Sequence, residues 1–90
     1  METMIKVYSI FDSKAEEYGP MFFQRNKHEA TRTFGELVVD PSNRISRHPG
    51  DYTLFELGTF DRSKGLYVPH KAHENLGVGS EYVKDKSKLN

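Results

Sequence analysis

Cysteine is absent from the 90 residues, so neither a disulfide framework nor thiol chemistry is available, as in proteins of a reducing compartment. No apolar run approaches the roughly 20 residues of a membrane-spanning helix. The opening M-E-T-M-I-K has no charged segment leading into an apolar one, so no signal peptide is expected. An excess of one sign of charge is missing too. Thirteen Lys and Arg balance 13 Asp and Glu, and no global field draws in nucleic acid or a membrane surface. Any cationic surface must be local. A chain of this size makes one domain, and it buries only about 60% of its unfolded surface, so each large aromatic matters to the core.

What is present is organised around residues 26–40, N-K-H-E-A-T-R-T-F-G-E-L-V-V-D. Asn26 suits an N-cap, and Glu29 three positions on completes a capping box. Ala30, Phe34, Leu37 and Val38 recur at helical spacing as one apolar stripe, with Glu29, Arg32 and Glu36 on the opposite face. Pro41 disfavours helical geometry at Asp40 and ends the helix. Intrinsic propensity is poor, because Thr31, Thr33, Val38 and Val39 are β-branched and Gly35 costs about 1 kcal/mol relative to Ala. The stripe must therefore bury against something, and a sheet is the candidate.

The flanking segments alternate like strands. Residues 4–11 place Ile5, Val7 and Phe11 on one face and Lys6, Tyr8 and Ile10 on the other. A polar connection over 12–19 leads to a second strand over 20–25, opened by Pro20 and short enough in its link to pair antiparallel with the first. After the helix, residues 41–51 form a polar loop with Arg44, Arg47 and His48 and no acid before Gly50. It reads as a solvated crossover, or as a basic arm over a phosphate backbone. Residues 52–60 are the strongest strand, and Phe55 and Leu57 are expected to meet the helix stripe. D-R-S-K-G over 61–65 is a hairpin loop, and residues 66–68 return as a short fourth strand ended by Pro69. The echo of F-D-S-K at 11–14 in F-D-R-S-K at 60–64 is shared turn chemistry. The expected fold is α+β in the order β-β-α-β-β, one helix across a four-stranded antiparallel sheet, with a domain over 1–68. Residues 69–90 read as a flexible or partner-docking tail, in which Leu76, Val78, Tyr82 and Val83 are the available anchors.

Catalytic and metal signatures are thin. His70 and His73 have ligand-like spacing, but zinc needs two more ligands, which without Cys must come from His48, His28 or a carboxylate. Gly77-Val78-Gly79-Ser80 has no following lysine and is no phosphate loop. No serine sits in a nucleophile elbow. No enzyme, metal or cofactor is expected. Binding remains, and one helix covers only one sheet face. Strand aromatics left on the other face, with Tyr8, Phe22, Tyr52 and Tyr67 as the candidates, would stack on unpaired bases or pack against a second copy. Arg44, Arg47, Arg62, Lys64, Lys84, Lys86 and Lys88 are the candidate phosphate contacts.

The run K-V-Y-S-I-F-D-S-K-A-E-E-Y-G-P over 6–20, followed by F-F-Q-R-N, resembles the opening of a small nonstructural protein of gokushoviruses, microviruses with single-stranded circular DNA. The later D-Y-T-L-F-E-L-G-T-F-D-R-S-K-G fits the same pattern, so the resemblance spans about residues 4–68. It implies a DNA-binding protein of the host cytoplasm that supports genome replication or packaging. The function expected is binding of single-stranded DNA without sequence preference. The alternative is a protein-interaction module, either a homodimer or a binder of a replication, capsid or host protein.

Overall fold

The computed structural model describes residues 3–83. Its centre is the antiparallel pairing of two long strands, β1 (Met4–Asp12) and β4 (Tyr52–Asp61), matched along their whole length. The other edge of β1 takes two short strands, β2 (Glu17–Tyr18) and β3 (Phe22–Gln24), which together act as one interrupted edge strand. On the far side β4 pairs with β5 (Leu66–Val78). All pairings are antiparallel, and the single long helix, α1 (Lys27–Val39), lies across one face. The fold is α+β, as the alternation predicts, with the edge next to β1 split in two.

The helix forms where its signals place it. Asn26 Oδ1 accepts from the Glu29 amide at 3.0 Å, satisfying a donor that has no partner inside the helix. The Glu29 carboxylate does not close the capping box by this route; it pairs with Arg25 at 3.4 Å, while Arg32 and Glu36 pair at 3.7 Å. Ala30, Phe34 and Val38 are buried against Tyr8, Leu54 and Ile45, with Leu37 partly buried beside them. Burial of this stripe offsets the poor helix propensity.

Both main hairpin turns use one construction. Asp12 Oδ1 accepts from the amides of Lys14 and Ala15, and Asp61 Oδ1 accepts from those of Ser63 and Lys64. Four residues after each aspartate the chain enters the left-handed region, at Glu16 (φ 59°) and at Gly65 (φ 69°). The corresponding amides donate to the Asp12 and Asp61 carbonyls at 2.8 and 2.7 Å. Gly65 adopts this conformation freely, whereas Glu16 holds it at a steric cost.

Three expectations change. First, the strand does not stop at Pro69: β5 continues to Val78. As an edge strand it has one side without a ladder, where a missing N–H costs nothing. Register shifts between Glu56 and Gly58 and again between Thr53 and Phe55 let it bend past the proline. Beyond it, residues 79–83 are helical, and Leu76, Tyr82 and Val83 pack on the core, with the Tyr82 ring edge-on to Phe34 at 4.9 Å. Residues 69–83 thus belong to the folded body; Lys84, Lys86 and Lys88 lie outside the described residues.

Second, the helix meets the other face of β4. The pairs Tyr8↔Glu56, Ile10↔Leu54 and Asp12↔Tyr52 put Tyr52, Leu54 and Glu56 on the helix side and Phe55 on the opposite one. Leu57 falls at a bulge between the pairs Tyr8↔Glu56 and Val7↔Gly58 and is absent from the helix-side core. Third, residues 41–51 are no loose arm. They form two 3-10 turns, Arg44–Arg47 and Pro49–Asp51; Asn43 caps the first through the Ile45 amide, and Ile45 is buried under the helix.

Two outcomes follow for stability. Phe34→Ala should cost about 3–5 kcal/mol in urea unfolding, since the ring is fully buried between Tyr82 and the sheet; a loss under about 1 kcal/mol would contradict this packing. Truncation after Pro69 should unfold the domain by circular dichroism, because it removes most of β5 and the Tyr82 contact.

Candidate binding face of the sheet

Because Tyr8, Ile10, Leu54 and Tyr52 turn toward the helix, the residues between them turn away from it. The uncovered face therefore carries Phe11, Tyr18, Phe55 and His73 at one end and Phe23, Phe60 and Tyr67 at the other. In the first group Tyr18 is the hub, with its ring 4.9 Å from Phe11, 5.7 Å from Phe55 and 5.3 Å from His73. The second group pairs Phe23 with Phe60 at 5.8 Å. Tyr67 is Phe60's cross-strand partner, and its ring lies over Gly58. A Cβ on Gly58 would meet the Val68 carbonyl, Pro69 Cα at 2.8 Å and Tyr67 Cε1 at 3.0 Å, so only glycine lets the β5 backbone and this ring come so close. Tyr18, Phe23 and Tyr67 are 41, 47 and 42% exposed. Clustered rings exposed to that degree make an apolar patch of the kind contact surfaces present.

Of the aromatics expected on this face, only Tyr67 is there. Tyr8, Phe22 and Tyr52 lie on the helix side, Tyr8 fully buried with its ring 5.8 Å from Phe22. The pattern Y-T-L-F-E-L hides this, because a buried glutamate is the unlooked-for element in it. Glu56 is 2% exposed, and its Oε2 lies 2.7 Å from His70 Nε2 and 4.0 Å from Lys6 Nζ. His73 instead meets Tyr18 Oη at 3.1 Å, so the two histidines serve different partners on different faces. Among the described residues no three His or carboxylate side chains gather as metal ligands.

The cations do not converge. Arg44 and Arg47 stand at the Asp12 end of the sheet, and Arg62 and Lys64 at the Asp61 end. With about 3.3 Å per strand residue, the length of β4 separates the two pairs by roughly 30 Å. All four side chains are exposed. Arg44 is also engaged, 3.7 Å from Asp12 Oδ2. The charges bracket the aromatic face along its length without ringing it.

The family model for the phage ORF5 protein matches residues 5–82. The chain belongs to the phage ORF5 protein family. It is 36% identical over 66 residues to protein ORF5 of Chlamydia phage 1, a gokushovirus, the match covering 69% of each chain. No solved structure matches it. No described helix is long and apolar enough to cross a membrane.

Beneath the face lies one buried polar irregularity. Tyr8 Oη and Glu56 Oε1 are both buried without a hydrogen bond of ordinary geometry, although their residues are cross-strand partners. Burial first, then the Glu56 carboxylate, pushes the Tyr8 phenol well above its usual range. The native state thus keeps this proton while the unfolded chain releases it near pH 10. Tyr8's contribution is full below that pH and is lost as pH rises beyond it. Tyr8→Phe should therefore be neutral or stabilising at pH 7 and should resist alkaline unfolding better than the parent, followed by denaturant melts at pH 7 and above 10. A loss above about 1 kcal/mol at pH 7 would instead show that the hydroxyl is bonded to Glu56.

Proposed function

We propose that this phage protein is a nonstructural protein that binds single-stranded DNA on the uncovered face of its sheet, without sequence preference there, in support of genome replication or packaging in the host cytoplasm. The observation that carries the reading is the row of rings on that face, Tyr18, Phe55 and Phe11 at one end and Phe23, Phe60 and Tyr67 at the other. Every base has an aromatic face, so ring stacking is indifferent to sequence and is worth about 1–3 kcal/mol per base. Cationic side chains at both ends of the sheet, Arg44 and Arg47 at one and Arg62 and Lys64 at the other, lie where a nucleic-acid strand running along β4 would leave the platform. Gokushovirus genomes, as the sequence resemblance implies, are single-stranded DNA. The protein acts by binding and catalyses nothing in this reading.

Stacking leads and charge follows, because the chain is neutral and Arg44 already faces Asp12. Fluorescence anisotropy with a labelled oligonucleotide across a salt series tests this. Phe23→Ala and Tyr67→Ala should each cost about 1–3 kcal/mol of affinity. Replacing Arg44 and Arg47 together should flatten the slope of log affinity against log salt by up to about 1.4. Absence of binding at low salt sinks the reading.

A second reading has its own observation. Met4, Met21, Phe23, Leu66, Tyr67 and Val68 are each more than a third exposed. Phe23 and Tyr67 share the uncovered face while Met4, Leu66 and Val68 take the other side of the Asp61 end of the sheet, an apolar end suited to a second copy or another protein. A concentration-dependent dimer in sedimentation velocity, together with no DNA binding, would favour it.

A further inference from the structure

A cavity of about 350 Å³ opens at the Asp12 end of the sheet, between β2 and the turn at Asn43. Its apolar walls come from Ile10, Ile45 and Tyr52, side chains that belong to or border the helix-side core. Asp12, Glu17 and Arg44 supply its charge. Tyr18 borders it as well, on the short edge strand β2, while its ring turns to the aromatic cluster of the uncovered face. Only the two-residue edge strand β2 separates the cavity from that face. Its volume lies within the roughly 300–1,000 Å³ of small-molecule sites.

The polar groups say what fits. Asp12 Oδ1 is occupied by the turn amides of Lys14 and Ala15. Oδ2 has only the loose Arg44 contact at 3.7 Å, longer than a charge-assisted hydrogen bond. It can accept another donor, and Arg44, 77% exposed, can swing to an incoming anion. A flat ring with an amino group beside an acidic oxygen, joined to a phosphate, meets the demands of Asp12 and Arg44, and Glu17 adds a second acceptor in the lining. Cytosine, adenine and guanine each carry such an amino group, whereas thymine presents a carbonyl oxygen in place of cytosine's amino group.

We propose that this cavity receives one nucleobase of a bound single strand and selects bases bearing an exocyclic amino group, with Asp12 as acceptor and Arg44 on the adjoining phosphate. The proposal rests on the DNA-binding reading and adds a one-base preference to a platform that has none.

Titration of the full chain with dCMP and with dTMP, followed by amide NMR shifts at low salt, tests it, since the two ring systems are close in size. The expected result is movement of the Gly19, Asn43, Arg44 and Ile45 amides, with dCMP binding at least about fivefold tighter than dTMP. Asp12→Asn keeps an oxygen for the turn amides and turns the second position into a donor, so it should abolish or reverse that ratio. Arg44→Ala should weaken both nucleotides alike. Equal binding of dCMP and dTMP, or shifts confined to other amides, overturns the proposal, and the unmodified chain suffices for this result if Asp12→Asn does not fold. Oligo(dT), which has no amino group, separates the two readings. If it binds while the mononucleotides show no preference, the platform stands and the cavity assignment falls; if it fails to bind while dCMP is selected, the reverse holds.

Discussion

The register between β1 and β4 is the constraint on which everything else here depends. Tyr8 opposite Glu56 and Ile10 opposite Leu54 fix which side of the pleat faces α1. The period of two then assigns the side chains of β1, and those of β4 up to the bulge at Leu57, beyond which the two faces of β4 exchange. The assignment brings a glutamate to the core side, beside an unpaired tyrosine hydroxyl. His70, delivered by the bent middle of β5, meets that carboxylate at 2.7 Å. A buried carboxylate without a partner is expensive, so the long excursion of β5 past Pro69 has an energetic role as well as a topological one. What the arrangement releases is the opposite face, where Phe11, Phe55 and Phe60 would otherwise have been core.

Once the rings are outside, they are arranged more than scattered. Tyr18 is held on a two-residue strand by its pairing with Phe11 and touches both Phe55 and His73. Tyr67 packs over Gly58, where no side chain intervenes. Rings fixed by neighbours lose little freedom when a flat ligand stacks on them. This favours recognition by surface contact in a protein with no net charge.

The cations follow the turns. Asp12 and Asp61 build the same turn at opposite ends of the sheet, and each end has its pair of basic residues nearby. The aspartates needed for those turns also dilute the positive charge. Arg44 illustrates the balance, because its nearest charged neighbour is the residue that shapes the β1–β2 turn.

Local chemistry was legible from the chain alone. Asn26 and Pro41 bound the helix, Ala30, Phe34 and Val38 are its buried stripe, and the two F-D turns match in their hydrogen bonds. Each rests on contacts within about four residues, where spacing is sufficient information. Membership in a phage family was legible as well, through the S-I-F-D-S-K-A run and the strand over 52–60. Which face of β4 meets the helix was not. By composition Glu56 belongs outside and Phe55 inside, and the reversal comes with His70, carried by β5 past Pro69, and Lys6, both of which face the buried carboxylate. For the same reason Tyr8, Phe22 and Tyr52 were expected on the open face, which belongs to Phe11, Tyr18, Phe23, Phe55 and Phe60. A strand's two faces differ by a one-residue shift, and nothing within a strand's own sequence chooses between them; partners distant along the chain do.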